Sequence, residues 1–231
     1  EVPMEWEEVP EGLVCIKLKV SGLLGGHSGS DIHLQRASAG KLMGRMLRQA
    51  AKTFYFRLSG INGGLMDNAI TRECEAELYI PKEDVEEFAD MCGQFEQVFN
   101  SEYRGSEKNI RISAELGESA GKVMTVKRAS DVIYALNLIP SGVQRVSLEM
   151  KGLVETSNNL GIIKTTDENV EFVSAVRSSV ATIKYDILEK MAMIAELVDG
   201  KFFIRSQYPG WEYRPESALR DICIETFKEM Y

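Results

Sequence analysis

Apolar positions along this chain follow two periods, and their order outlines the fold. Residues 13–24 alternate in part and are rich in Val, Ile and Leu, which predicts a strand. Residues 37–52 place Leu42, Met43, Met46, Leu47 and Ala50 at helical spacings of three and four. Phe54, Phe56 and Leu58 alternate in a second strand over 54–61, followed by the turn cluster Asn62-Gly63-Gly64. A third strand is expected over 69–80, ended by Pro81. Val85, Phe88, Met91, Cys92 and Phe95 mark a helix over 83–100, and residues 110–116 read as a fourth strand. The order is β-α-β-β-α-β.

The pattern recurs in part. A helix over 129–138 is followed by the turn Ser141-Gly142 and an extended stretch over 146–154. Residues 159–164 and 170–179 form an expected antiparallel pair across Asp167-Glu168-Asn169. Ile187, Leu188, Met191, Ile194 and Leu197 line a helix over 183–198, with Gly200 as its stop. A last strand is expected over 202–206 and a helix over 215–231 that ends without a stop signal, as in a domain cut from a longer protein. Long helices after antiparallel strands predict an α+β two-layer sandwich: an antiparallel sheet with helices on one face, built from two related ferredoxin-like halves. The divisions expected are 1–116, 117–207 with the Gly117-to-Thr125 link at its start, and 208–231. The open sheet edges are candidate pairing surfaces.

Composition narrows the class. A 231-residue chain with 44% hydrophobic and 27% charged residues suits an ordinary soluble globular protein. The net charge of −8 argues against a nucleic-acid or anionic-membrane surface. No apolar run is long enough for a bilayer span, and the acidic start shows no signal peptide. Cys15, Cys74, Cys92 and Cys223 are scattered, which predicts free thiols in a reducing, cytoplasmic compartment.

Candidate chemistry starts at Gly25-Gly26-His27-Ser28-Gly29, followed by Asp31 and His33. Glycines around a histidine let another molecule approach the main chain, and imidazole can donate, accept or carry charge near neutral pH. His27 can stabilise a developing oxyanion; the plain alternative is a hydrogen-bonded surface turn. His27, Asp31 and His33 can also be read as a small zinc site, although no fourth ligand is evident. Asn68 opens a strand after Gly63-Gly64, where turn chemistry alone explains an Asn. Arg177 lies on a strand otherwise apolar at alternate positions. Its planar fork suits a carboxylate, and the alternative is a solvated edge arginine in a salt bridge. Ser28 lacks the setting of a serine nucleophile. Tyr208-Pro209-Gly210-Trp211 reads best as a packed turn at a domain boundary.

A resemblance sharpens these readings. Gly25-Gly26-His27-Ser28-Gly29 with Asp31-Ile32-His33, Asn62-Gly63-Gly64…Asn68-Ala69-Ile70…Arg72-Glu73, Glu155-Thr156-Ser157-Asn158-Asn159-Leu160, Val176-Arg177-Ser178-Ser179 and Tyr208-Pro209-Gly210-Trp211 resemble, in order, motifs of bacterial aminoacyl-histidine dipeptidases. Those enzymes belong to the zinc-dependent aminoacylase and carboxypeptidase superfamily. The family usually has Pro where this chain has Thr71. The resemblance implies the lid and dimerisation part of a metallopeptidase that hydrolyses Xaa-His dipeptides. It implies His27 for oxyanion stabilisation, Asn68 and Arg177 for substrate binding, and a homodimer. It leaves open whether His27 serves its own subunit's site or the neighbour's. It implies two zinc ions in the parent enzyme, held by a catalytic domain absent here, and no metal ligands in this chain. The isolated chain is therefore expected to be inactive. The competing reading is a non-catalytic α+β interaction or ligand-sensing module.

Overall fold

Alternation along residues 13–21 sends Ile16, Leu18 and Val20 into the core and leaves Lys17 exposed. That rule organises the computed structural model, which describes residues 1–118, 121–210, 214 and 216–231. In chain order the elements are β1 Val2–Pro3, β2 Trp6–Glu8, β3 Leu13–Ser21, β4 Gly26–His27, α1 Ala39–Thr53, β5 Arg57–Gly63, β6 Ala69–Ile70, β7 Cys74–Pro81, α2 Val85–Glu102 and β8 Arg111–Leu116. Then follow β9 Lys122–Met124, α3 Val126–Leu138, β10 Gly142–Val146, β11 Val154–Thr165, β12 Asn169–Ser178, α4 Ala181–Leu197 and α5 Ala218–Met230.

The main sheet runs β1-β12-β11-β5-β7-β3-β8, with β10 pairing β11, and its neighbours are antiparallel. Within the first half, β3 lies between β7 and β8 and β5 lies outside β7, the ferredoxin-like arrangement. The halves join where Ile163 and Lys164 of β11 face Gly63 and Asn62 of β5. Helices α1 to α4 bring Leu42, Phe88, Leu136, Met191 and Ile194 into one apolar core with the inward side chains of the sheet. The opposite face of β3 and β7 carries Lys17, Lys19, Glu75 and Glu77, so alternation separates an oily face from a charged one. The half-buried Lys41 ammonium donates to the carbonyls of Leu136, Asn137 and Ile139 at the end of α3, where helix carbonyls lack partners of their own.

Several expectations change. The strand expected over 69–80 is two strands: β6 pairs β4, while β7 joins the main sheet. The break falls at Thr71, whose Oγ1 donates to the carbonyls of Leu160 and Gly161. Residues 147–153 are not extended but form the loop between β10 and β11, with Ser147 N donating to the Leu153 carbonyl. Residues 202–206 form no strand; Phe203 and Ile204 are exposed and the segment runs beside β12 without joining its ladder. The link region holds β9, paired to β2, while Ser119 lies outside the described residues. Trp211 and Pro215 also lie outside them. Helix α5 buries none of its residues. Among the described residues, no helix is long and apolar enough to cross a membrane.

Candidate functional site

The glycine-flanked histidine is fixed by its own turn. Gly25 and Gly26 adopt φ of +64° and +141°, and a side chain on either would collide with Arg72, or with Arg36 and Asp31. His27 N–H donates to Asp31 Oδ2 at 2.9 Å, and Asp31 N–H returns a bond to the His27 carbonyl at 2.9 Å. This backbone donor, aided by Arg36, holds the Asp31 carboxyl below the usual carboxylate range. His27 Nδ1 accepts from the Gly29 and Ser30 backbone N–H groups at 3.2 and 3.1 Å. A nitrogen that accepts carries no proton, so the neutral ring is the Nε2–H tautomer. The imidazole is exposed and presents that N–H as a donor.

Pairing brings Asn68 alongside. His27 faces Ala69 across the β4–β6 ribbon, and Ser28 N–H donates to the Asn68 carbonyl at 2.8 Å. The loop before β6 lies on β11, where a bulge between Leu160 and Ile162 places Gly161 beneath it. A β-carbon on Gly161 would stand 2.5 Å from the Asp67 carbonyl oxygen, so only glycine permits this approach. The Asn68 side-chain amide is half-buried and makes no hydrogen bond among the described residues.

Arg177 reaches the same place from β12, opposite Ser157. Among the described residues it has no carboxylate partner. Its Nη1 donates to Tyr208 Oη at 3.2 Å, while its buried Nε has no partner. The salt-bridged edge arginine is therefore not what the structure shows. A β-carbon built on Gly29 would lie 3.0 Å from His27 Cε1 and 3.4 Å from Arg177 Cζ, so imidazole and guanidinium flank one point. Asn68, Arg177 and Tyr208 line a cleft of about 720 Å³ with Leu188, Met191 and Phe203. His27 stands outside that lining. A guanidinium with no carboxylate partner and an amide with no hydrogen bond among the described residues, beside an imidazole N–H donor, make an anion- and carbonyl-binding group of side chains.

Metal ligation does not fit these residues. His33 is exposed on the short turn Ile32–Leu34, and Asp31 is committed to the His27 backbone. Among the described residues, no group of three His, Cys, Asp or Glu side chains is placed to hold an ion. Sequence reasoning also passed over contributors. Tyr208 was read as packing, yet its hydroxyl holds the guanidinium. Asn159 had no role, yet it bonds both sides of Asn68. The one available signal was an amide at the end of an otherwise polar run in a strand.

Comparison with known proteins places this arrangement. Residues 18–107 match the family model described as a peptidase dimerisation domain. Over 228 residues the chain is 31% identical to the cytosol non-specific dipeptidase of Escherichia coli (strain K12), covering 99% of this chain and 47% of that protein. The crystal structure of aminoacylhistidine dipeptidase from Vibrio alginolyticus matches with a TM-score of 0.95 at 30% identity, again over 99% of this chain and 47% of that one. The chain thus spans about half the length of these relatives. Its residues 18–107 are similar to a peptidase dimerisation domain, and along nearly its full length the chain has the fold of the corresponding part of an aminoacylhistidine dipeptidase.

Proposed function

We propose that this chain is the lid and dimerisation part of a zinc-dependent dipeptidase acting on Xaa-His dipeptides, with its site residues facing a substrate held by the remainder of the protein. The observation that supports it is the shared point at Gly29: two side chains 150 residues apart in sequence, His27 and Arg177, flank it. Arg177 offers its planar fork to the substrate's terminal carboxylate, with Tyr208 fixing one arm. Asn68 donates its amide to the scissile carbonyl. His27, held as the Nε2–H tautomer, donates to the same oxygen as charge develops there. Covering the site with this chain excludes water from those contacts.

The metal chemistry of such a hydrolysis belongs to the other half of the protein, a reading supported by the lack, among the described residues, of a His, Cys, Asp or Glu group placed to hold an ion. Helix α5, which buries nothing, is read as the return into that half. The relatives' length and the dimerisation-domain match support both the missing half and a homodimer in the cytoplasm.

The test is activity. The natural full-length protein should hydrolyse a Xaa-His dipeptide in the presence of zinc, and the 231-residue chain alone should not exceed a metal-only blank. Turnover by the isolated chain, or none by the full-length protein, would overturn this reading.

A further inference from the structure

Asn159 is 2% exposed, and its side chain does one job. Nδ2 carries two hydrogens and donates to the Asp67 carbonyl at 2.8 Å and the Ala69 carbonyl at 2.9 Å. These are the carbonyls on either side of Asn68. One rigid amide on a central strand therefore fixes the Asp67–Asn68 peptide plane and the Ala69–Ile70 plane just beyond it, on either side of a residue whose own side chain has no partner among the described residues. The seat is built for this. The β11 bulge and Gly161 let the loop descend onto the strand, and Thr71 Oγ1 pins its far end to the Leu160 and Gly161 carbonyls. Asn158, the neighbouring amide, points elsewhere and donates to the Pro140 carbonyl at 2.6 Å. The loop is also tied to the histidine turn, through Ser28 N–H on the Asn68 carbonyl.

We propose that Asn159 is a positioning residue for Asn68: its paired donors hold the Asn68 amide at the angle from which it meets the substrate carbonyl. This rests on the lid reading above for the identity of the ligand, but the holding of the loop can be measured without any ligand. Asn159 touches no substrate and acts only through the loop. A donor at this position is what matters, so an isosteric side chain without an N–H or O–H should lose the effect, and an acid that regains a proton should recover part of it.

The experiment uses nitrogen-15 NMR of the natural full-length protein, as the parent chain and with Asn159→Leu and Asn159→Asp. Without ligand, exchange of the Ser28 amide should accelerate at least tenfold in Asn159→Leu while the core amide of Leu78 is unchanged. With a Xaa-His dipeptide, the Asn68 side-chain amide signals should shift in the parent chain and lose that shift in Asn159→Leu, while the Arg177 Nε response persists. In Asn159→Asp the Asn68 response should return as the pH falls and the carboxyl gains its proton. Unaltered Ser28 exchange, or an Asn68 response that survives Asn159→Leu, would overturn the positioning role. Silence of Arg177 in the parent chain would instead refute the lid reading, with the exchange measurement still deciding whether Asn159 holds the loop.

Discussion

His27 and Arg177 meet at Gly29, where a β-carbon would sit 3.0 Å from the imidazole Cε1 and 3.4 Å from the guanidinium Cζ. This juxtaposition brings a turn near the start of the chain beside a strand near its end, so it exists only when both halves share the sheet. Gly29 does not adopt a positive φ, so the backbone accepts alanine there. Gly29→Ala should therefore change unfolding free energy by less than about 1 kcal/mol, the range of ordinary surface changes. It should weaken binding of a Xaa-His dipeptide severalfold, because the added methyl crowds both groups. Urea unfolding and ligand titration of the same variant separate the two effects.

Arg177 is predicted to act through its fork rather than its charge. Arg177→Lys keeps the cation but loses the two-pronged geometry. A charge-assisted hydrogen bond contributes roughly 1.5–3 kcal/mol, so affinity for the dipeptide should fall on the order of tenfold or more. The melting temperature should stay within a few degrees, since the Arg177 side chain bonds only Tyr208 among the described residues. Affinity preserved in Arg177→Lys would show that the fork is not used.

The histidine turn should show a defined acid response. Asp31 is held below the usual carboxylate range chiefly by the His27 backbone N–H. A carboxyl lowered in the native state adds stability above its unfolded value, about 3.9, and loses it as the pH falls through the lowered native value. The His27 amide shift should therefore titrate with a midpoint under 3.9, and Asp31→Asn should abolish that titration. The neutral His27 ring should report the Nε2–H tautomer in its nitrogen shifts, as two backbone donors at Nδ1 require.

Much of the fold was legible from periodicity, and the reasons are visible in particular residues. The alternation of Ile16, Leu18 and Val20 and the stripe of Leu42, Met43, Met46 and Leu47 mark faces that are in fact buried. Short elements were not legible. Val2–Pro3 and Trp6–Glu8 are strands only because β12 and β9 lie beside them. Conversely, residues 202–206 have the composition of a strand but pair with no strand among the described residues, so local propensity went unanswered. The candidate side chains His27, Asn68 and Arg177 came from motif resemblance, and their meeting at one end of the sheet needed coordinates. Asn159 was invisible because its role lies in two backbone carbonyls far away in sequence.

Lys41 supplies a stability prediction away from the site. Burial pushes its ammonium down to about 8. From there to the ordinary value near 10.4, the unfolded chain binds more protons than the native one, so stability linked to Lys41 rises with pH. The parent-minus-Lys41→Met difference in unfolding free energy should grow between pH 7 and pH 9.5 by on the order of 2 kcal/mol, at about 1.4 kcal/mol per unit. Urea unfolding at the two pH values checks it, and a constant difference would mean that the three carbonyls at the end of α3 keep the ammonium charged throughout.

The most direct measurement of the central claim compares a Xaa-His dipeptide with its C-terminal amide, titrated into the natural full-length protein while the Arg177 Nε signal is followed. A lid that grips the terminal carboxylate predicts a saturable shift with the acid and at least a tenfold weaker response to the amide. Equal responses to the two, or a shift that appears at residues remote from Arg177 and leaves Arg177 unmoved, would contradict it.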